Sequence, residues 1–265
     1  MIYINRFAPL AGEQTQSQYP FGLPLLANLG ELWFDAPVTI LAGDNGSGKT
    51  TLLELIAVKA GAVRIGSGQA ARDGRSAAIR EASAFFRITR KGRPNACFFF
   101  TAEDFSRELE TRAATRRDAE ENLARVRREY EGRDYALGYA VMPFERTLNE
   151  MDSQFQRELA LRSHGEGFLD FFGARLVPNG LYLLDEPEAA LTYFNQLVLL
   201  NMVREAVERG CQFIIATHSP VLCACPGAVI FQLEEGGPRE TQYDDLADIQ
   251  FLKLFLRDRE RLLRD

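Results

Sequence analysis

The sequence predicts an α/β fold with a mixed, largely parallel central sheet, an N-terminal antiparallel β part and a helical lid lobe. Three observations carry that expectation. Short apolar runs suited to strands buried on both faces, Gln212–Thr217 and Ala228–Leu233, alternate with helical segments in the second half. A glycine-rich loop, Gly43–Thr50, lies between an apolar strand, Val38–Ala42, and an apolar helix, Lys49–Lys59. The first residues instead read as strands without helices between them: Ile2–Phe7 alternates, and Glu31–Phe34 precedes Val38–Ala42 across Asp35-Ala-Pro37.

The remaining elements follow in order. Pro9 to Pro24 is turn-rich. Ala84–Thr89 and Ala96–Phe100 read as hairpin strands joined through Lys91–Asn95. Ser106–Arg133 is the clearest helix; Ala119, Leu123, Val126 and Tyr130 repeat at four, three, four, too briefly for a coiled coil. Fully helical it would span about 42 Å, which suits a solvated lobe rather than a long arm. Gly180–Asp185 is an apolar strand ending in carboxylates. Leu191–Val207 is a helix stopped by Arg209-Gly210, and Tyr243–Asp265 is a charged amphipathic helix or two.

Composition bounds the function. A chain of 265 residues with 46% hydrophobic content can bury a sizeable core. The net charge of −6 excludes a chain that is basic overall and coats nucleic acid. Ala62–Arg93 nevertheless carries a local excess of +6, the one hint of a polyanionic partner such as DNA. No apolar run approaches the roughly 18 residues of a membrane span, so no membrane span is expected. Met1–Phe7 lacks the basic-then-apolar order of a secretory signal. Cys97, Cys211, Cys223 and Cys225 sit in apolar contexts and read as buried thiols, so a cytoplasmic location is expected. Cys223-Ala-Cys225 near His218 matches no common zinc spacing.

The chemistry starts at Gly43-Asp-Asn-Gly-Ser-Gly-Lys-Thr50, which fits the phosphate-loop pattern without a mismatch. Successive backbone N–H groups from Asn45, Gly46, Ser47, Gly48, Lys49, Thr50 and Thr51 would wrap a polyphosphate at a helix N-terminus. Lys49 would place a point charge on the β- and γ-oxygens, and Thr50 a hydroxyl on Mg²⁺. Only four of the 31 basic residues are lysines, and one stands where this loop requires it. The expected ligand is a nucleoside triphosphate.

Leu181-Tyr-Leu-Leu-Asp185-Glu186-Pro187 places two acids at the end of a buried strand. Asp185 would hold Mg²⁺ at the sheet edge, and Glu186 could polarise a water for attack on the γ-phosphate. His218, one of only two histidines, follows the apolar run Phe213–Thr217 and would sit at another strand end beside the phosphates.

Taken together, Gly43–Thr51, Ser163-His-Gly-Glu166, Leu183–Pro187 and Thr217-His218-Ser219 resemble an ABC-type P-loop ATPase. Within that group the chain is similar to compact, stand-alone bacterial ATPases labelled AAA-family, relatives of the SMC- and RecF-like repair ATPases. Tyr19-Pro-Phe21 and Thr101–Phe105 also match segments of that group, and the likeness runs over almost the whole chain. The resemblance implies one domain over residues 1–265: a phosphate-loop and antiparallel β part to 100, a helical lobe over 101–165, and a core from 166 with the carboxylates and the histidine. It also implies ATP and Mg²⁺ as cofactors and an ATP-dependent homodimer. Ser163 and Gly165 would contact the γ-phosphate of the opposite subunit, with a helix starting near Gly167. Glu186 would be the general base, His218 the γ-phosphate sensor, and Glu188–Thr192 the loop crossing the interface.

The sequence departs from the family pattern at several places. Arg162 and His164 replace the usual leucine and glycine, and Thr192 stands where many relatives have aspartate. Glu103 takes the place of a metal-ligating glutamine, and Arg6 or Phe7 is the adenine contact suggested by analogy. The resemblance implies an ATPase whose dimer cycle drives or gates a soluble partner protein or a DNA transaction, in genome maintenance or defence. A nucleotide-gated switch with slow hydrolysis and the ATP-binding subunit of a transporter stand as alternatives.

Overall fold

The computed structural model describes residues 1–10, 19–65, 74–132, 134–151 and 164–262. In chain order the elements are β1 (Ile4–Pro9), α1 (Pro24–Ala27), β2 (Leu32–Trp33), β3 (Val38–Ala42), α2 (Lys49–Ala60), β4 (Val63–Arg64), α3 (Gly74–Ser83), β5 (Phe86–Arg90) and β6 (Cys97–Thr101). There follow α4 (Ala102–Glu129), α5 (Asp134–Met151), α6 (His164–Gly173), β7 (Leu181–Asp185), α7 (Tyr193–Glu208), β8 (Gln212–Thr217) and α8 (Pro220–Cys223). The chain closes with β9 (Val229–Glu234), β10 (Gly237–Thr241), α9 (Ala247–Arg257) and α10 (Arg259–Leu262).

Seven strands form the main sheet in the order β10-β9-β3-β8-β7-β6-β4. All its pairings are parallel except β10 on β9. Alternation explains why its central strands read as continuous apolar runs. In β8, Phe213 and Ile215 point into one core, with Phe172, Leu199 and Val203; Ile214 and Ala216 point into the other, with Leu52, Leu55 and Ile56. Tyr182 and Leu184 of β7 follow the first pair, and Leu181 and Leu183 the second. A strand packed on both faces has no position where a polar side chain would meet water.

The expected hairpin of Ala84–Thr89 and Ala96–Phe100 does not form. β5 pairs antiparallel with β1, Phe7 opposite Ile88, in a separate three-stranded sheet ordered β2-β1-β5. β6 pairs parallel with β7, Phe99 opposite Leu183. The Lys91–Asn95 linker is therefore a crossover between two sheets. Locally the two cases look the same, because both are apolar strands flanking a Gly/Pro turn.

One buried side chain ties the sheets together. Gln212 at the start of β8 accepts hydrogen bonds from the N–H of Tyr3 (2.7 Å) and Ile4 (3.0 Å) and donates to the Ile4 carbonyl (2.7 Å). Gln212→Leu strands those backbone groups, and an expected loss of about 2–4 kcal/mol should appear as a lower urea midpoint with an unchanged slope.

Among the described residues, two helices lie in the span expected for the helical lobe, 101–165, and the first is offset from Ser106–Arg133. α4 starts at Ala102, capped by Thr101, whose hydroxyl accepts the Asp104 N–H at 2.9 Å. It packs along α5, with Arg127 paired to Glu145 at 3.0 Å. α7 ends where expected, with Arg209 as its cap and Gly210 in the left-handed region at φ 84°. Three arginines of Ala62–Arg93 turn to acceptors within the chain, while Arg87, Lys91 and Arg93 are exposed. Arg64 and Arg75 bind Glu54, and Arg90 donates to the terminal α2 carbonyls of Lys59 and Ala60. Among the described residues no helix is long and apolar enough to cross a membrane.

Candidate nucleotide-binding site

β3 ends at Ala42 and α2 begins at Lys49, so the glycine-rich loop turns the chain from sheet edge to helix. Gly48 makes this turn at φ 93°, and a Cβ there would stand 3.0 Å from Leu25 Cδ2. The left-handed conformation is what favours glycine here. Lys49 is almost fully buried. Its ammonium donates to the carbonyls of Gly43 (2.7 Å) and Asp44 (2.9 Å) and lies 3.6 Å from Glu186 Oε1. The Ser47 hydroxyl is buried with no protein partner among the described residues.

The carboxylates arrive from the end of β7. Asp185 is buried and accepts a hydrogen bond from Thr50 Oγ1 at 3.1 Å. Burial pushes its carboxyl up to about 7; the Thr50 hydrogen bond opposes this, and the charges of Glu186 and Glu54 add to it. Glu186 follows in a left-handed conformation, φ 43° and ψ 51°, a strained geometry for a residue with a side chain. Its N–H still donates to the Ala216 carbonyl of β8 at 2.9 Å. That kink swings its carboxylate toward Lys49 and His218, whose Nδ1 lies 3.9 Å from Glu186 Oε1.

Two cavities flank the loop, and Gly46 borders both. One, of about 320 Å³, is lined by Lys49, Thr50, Thr51 and Glu186, with Tyr19 and Arg75 on its rim. The other, about 540 Å³, is lined by Asn45, Ser47 and His218 together with Leu246 to Ile249 before and within α9. The structure thus gathers Gly46, Gly48, Lys49, Thr50, Thr51, Asp185 and Glu186 at one place, with Asn45, Ser47 and His218 across the loop.

Other expected residues lie elsewhere. Ser163 and Arg162 fall outside the described residues. Gly165 is buried within its own chain: the chain is already helical at His164, ahead of the start expected near Gly167, and a Cβ on Gly165 would come within 2.4 Å of Asn195 Nδ2. Glu103 is three-quarters exposed and binds Arg107 at 2.6 Å, while its neighbour Asp104 is buried on Arg64. Phe7 is fully buried and stacked on Phe86, and Arg6 pairs with Glu31 over Trp33, so neither borders either cavity. The residues that do border the phosphate cavity and were missed are Tyr19, whose hydroxyl lies 3.3 Å from Thr51 Oγ1, and Arg75. Both precede or follow the loop by two dozen residues or more; Tyr19 lies in the Tyr19-Pro-Phe21 segment that matches the family, without a role assigned to it, and no local pattern marks Arg75.

Residues 84–224, just over half of the chain, match the family described as "AAA domain, putative AbiEii toxin, Type IV TA system". The chain belongs to this family. The match begins after the phosphate loop and takes in the carboxylates and His218. The fold of this AAA-domain protein is mixed α/β, a largely parallel seven-stranded sheet beside a small antiparallel one, the class that the sequence predicts. Among solved structures it is similar to the Smc head domain of Pyrococcus furiosus, bound there to the C-terminal domain of ScpA (16% identity, TM-score 0.46, 98% of this chain and 100% of that one). It is also similar to cbiO1 of Clostridium perfringens, part of the ABC transporter complex cbiONQ (16% identity, TM-score 0.48, 98% of each chain). At these distances neither likeness carries an argument about activity or partner. No curated protein matches the chain.

Proposed function

We propose that this AAA-domain protein is an ATPase that binds ATP with Mg²⁺, hydrolyses it to ADP and phosphate, and dimerises around the nucleotide. The observation that carries this reading is the Thr50–Asp185 hydrogen bond beside the Lys49–Glu186 pair. It joins two motifs 135 residues apart into one cluster, in which Lys49 and Asp185 are buried and Glu186 is 35% exposed. The set fits the group it would hold. Asp185 is a carboxylate that burial makes costly to ionise, and Thr50 offers it only a hydroxyl, so a cation would suit both. Mg²⁺ held there would neutralise the β- and γ-phosphate oxygens. Lys49 is already inside the loop and has only to leave two carbonyls to reach a phosphate. Glu186 stands as the general base and His218 as the γ-phosphate contact. Glu103 would join the metal only by leaving Arg107.

Ser163 and Gly165 are the positions that would reach the nucleotide of a second copy. The dimer cycle would drive or gate a soluble partner or a DNA transaction in defence or genome maintenance. The family's description, with its toxin–antitoxin system, supports the defence end of that range. The dispersal of Arg64, Arg75 and Arg90 to internal acceptors takes support away from a DNA surface built on that segment.

Lys49→Ala removes the charge-assisted contact and should weaken ATP affinity about tenfold to hundredfold, the equivalent of about 1.5–3 kcal/mol. Titration calorimetry with a non-hydrolysable ATP analogue reads this directly. Equal affinity in wild type and variant would sink the phosphate-loop assignment.

A further inference from the structure

The left-handed turn at Glu186 has a second effect beyond aiming its own carboxylate. It is followed by a single 3₁₀ turn, Pro187–Ala190, that folds Glu188 back beneath the end of β8. By resemblance Glu188 begins a loop that crosses to a second subunit. In this chain its side chain is only 6% exposed and turned inward. One oxygen, Oε1, accepts hydrogen bonds from Thr217 Oγ1 at 2.6 Å and from the His218 backbone N–H at 2.8 Å, and His218 Nδ1 lies 3.2 Å from it. The other oxygen is buried with no partner among the described residues. Every hydrogen bond this carboxylate accepts thus comes from the Thr217-His218 strand end.

The imidazole has two carboxylates on its Nδ1 side. Glu186 Oε1 at 3.9 Å is beyond hydrogen-bond distance, whereas Glu188 Oε1 at 3.2 Å is within reach of a proton on Nδ1. The other charged groups around the cavity that His218 lines are Asp44, Glu234, Glu235 and Asp248. Beyond His218 the strand end is anchored again. Ser219 N–H donates to Thr217 Oγ1 (3.0 Å), and Ser219 Oγ donates to Gln196 Oε1 (2.6 Å), itself tied by Nε2 to the Leu191 carbonyl (3.2 Å). The backbone of His218 is fixed on both sides, so what remains to be set is the ring and its proton.

We propose that Glu188 is the positioning residue of this site: it holds the Nδ1 proton of His218 and leaves Nε2 as the nitrogen that meets the terminal phosphate. An anionic acceptor beside one ring nitrogen selects the tautomer and the rotamer. Glu188 thereby tunes a contact it does not itself make. This rests on the reading of His218 as the γ-phosphate contact.

The chain has two histidines, so ¹⁵N–¹H correlation of the imidazoles, with His218→Asn assigning the signals, reads the tautomer directly in the nucleotide-free protein. With one proton on the imidazole, the expected pattern is Nδ1–H; an Nε2–H pattern in the wild type overturns the proposal. Glu188→Ala should shift His218 toward Nε2–H and lower kcat for ATP about tenfold or more, with KM within about twofold, as loss of an orienting partner does elsewhere. Glu188→Gln keeps an acceptor oxygen and should recover both the tautomer and most of the rate. A Gln variant as slow as the Ala variant, or an Ala variant with the wild-type tautomer, counts against it. The double variant Glu188→Ala/His218→Asn should be no slower than His218→Asn alone. A His218→Asn variant at the wild-type rate removes the phosphate-contact reading itself. A slow His218→Asn beside a fast Glu188→Ala removes only the positioning role of Glu188.

Discussion

Glu186→Gln is expected to slow ATP turnover by about 100- to 10,000-fold, the range over which a positioned general base contributes. Glutamine keeps the size and shape of the side chain and asks nothing new of the left-handed backbone at this residue. It cannot accept a proton from water. Affinity for ATP should hold or tighten, because the wild-type carboxylate lies 3.6 Å from the Lys49 ammonium and competes with the γ-phosphate for that charge. The variant should therefore collect in an ATP-bound form, visible as a nucleotide-dependent dimer by light scattering. Single-turnover phosphate release is the deciding measurement: hydrolysis at the wild-type rate removes Glu186 as the base. The same variant separates a motor from a switch. A protein that works by repeated hydrolysis loses its output, whereas a nucleotide-gated switch is locked in its active state and keeps or gains it.

Glu186 also shows how far the site can be read from the chain alone. The phosphate loop and the acids after β7 are legible because each is a contiguous run whose chemistry needs just those residues in that order. β7 and β8 are legible for a related reason, since a strand covered on both faces admits no polar break before its end. What escapes is whatever depends on a partner far along the chain. β5 and β6 look like a hairpin until β1 and β7 compete for them. α6 reads as starting near Gly167 because glycine is a poor helix former, yet Gly165 is already helical, and only its close approach to Asn195 shows why a glycine stands there. Glu188 reads as a residue facing outward, because the turn that buries it comes from the unusual φ of Glu186 and not from any pattern in the sequence.

Asp185→Asn should stabilise the nucleotide-free protein at pH 8 by up to about 4 kcal/mol, taking the full difference between an unfolded carboxyl near 3.9 and the folded one at about 7. The location of the proton sets the sign. Between those values the folded chain holds a proton that the unfolded chain has released. Stability contributed by Asp185 is therefore fully present below about pH 4 and is lost as pH rises through 7. Asparagine never ionises and can still accept the Thr50 hydrogen bond, so it escapes that loss. The gain should shrink toward pH 5, and thermal melts of both proteins in chelated buffer at the two pH values check it; a gain independent of pH would mean that Asp185 is ionised at little cost. Adding Mg²⁺ and ATP should reverse the order, because the wild-type carboxylate then gains the cation it lacks and the amide does not. A residue that destabilises the empty protein by several kilocalories and stabilises it only with ligand bound is the pattern expected where selection acts on binding rather than on the stability of the free chain.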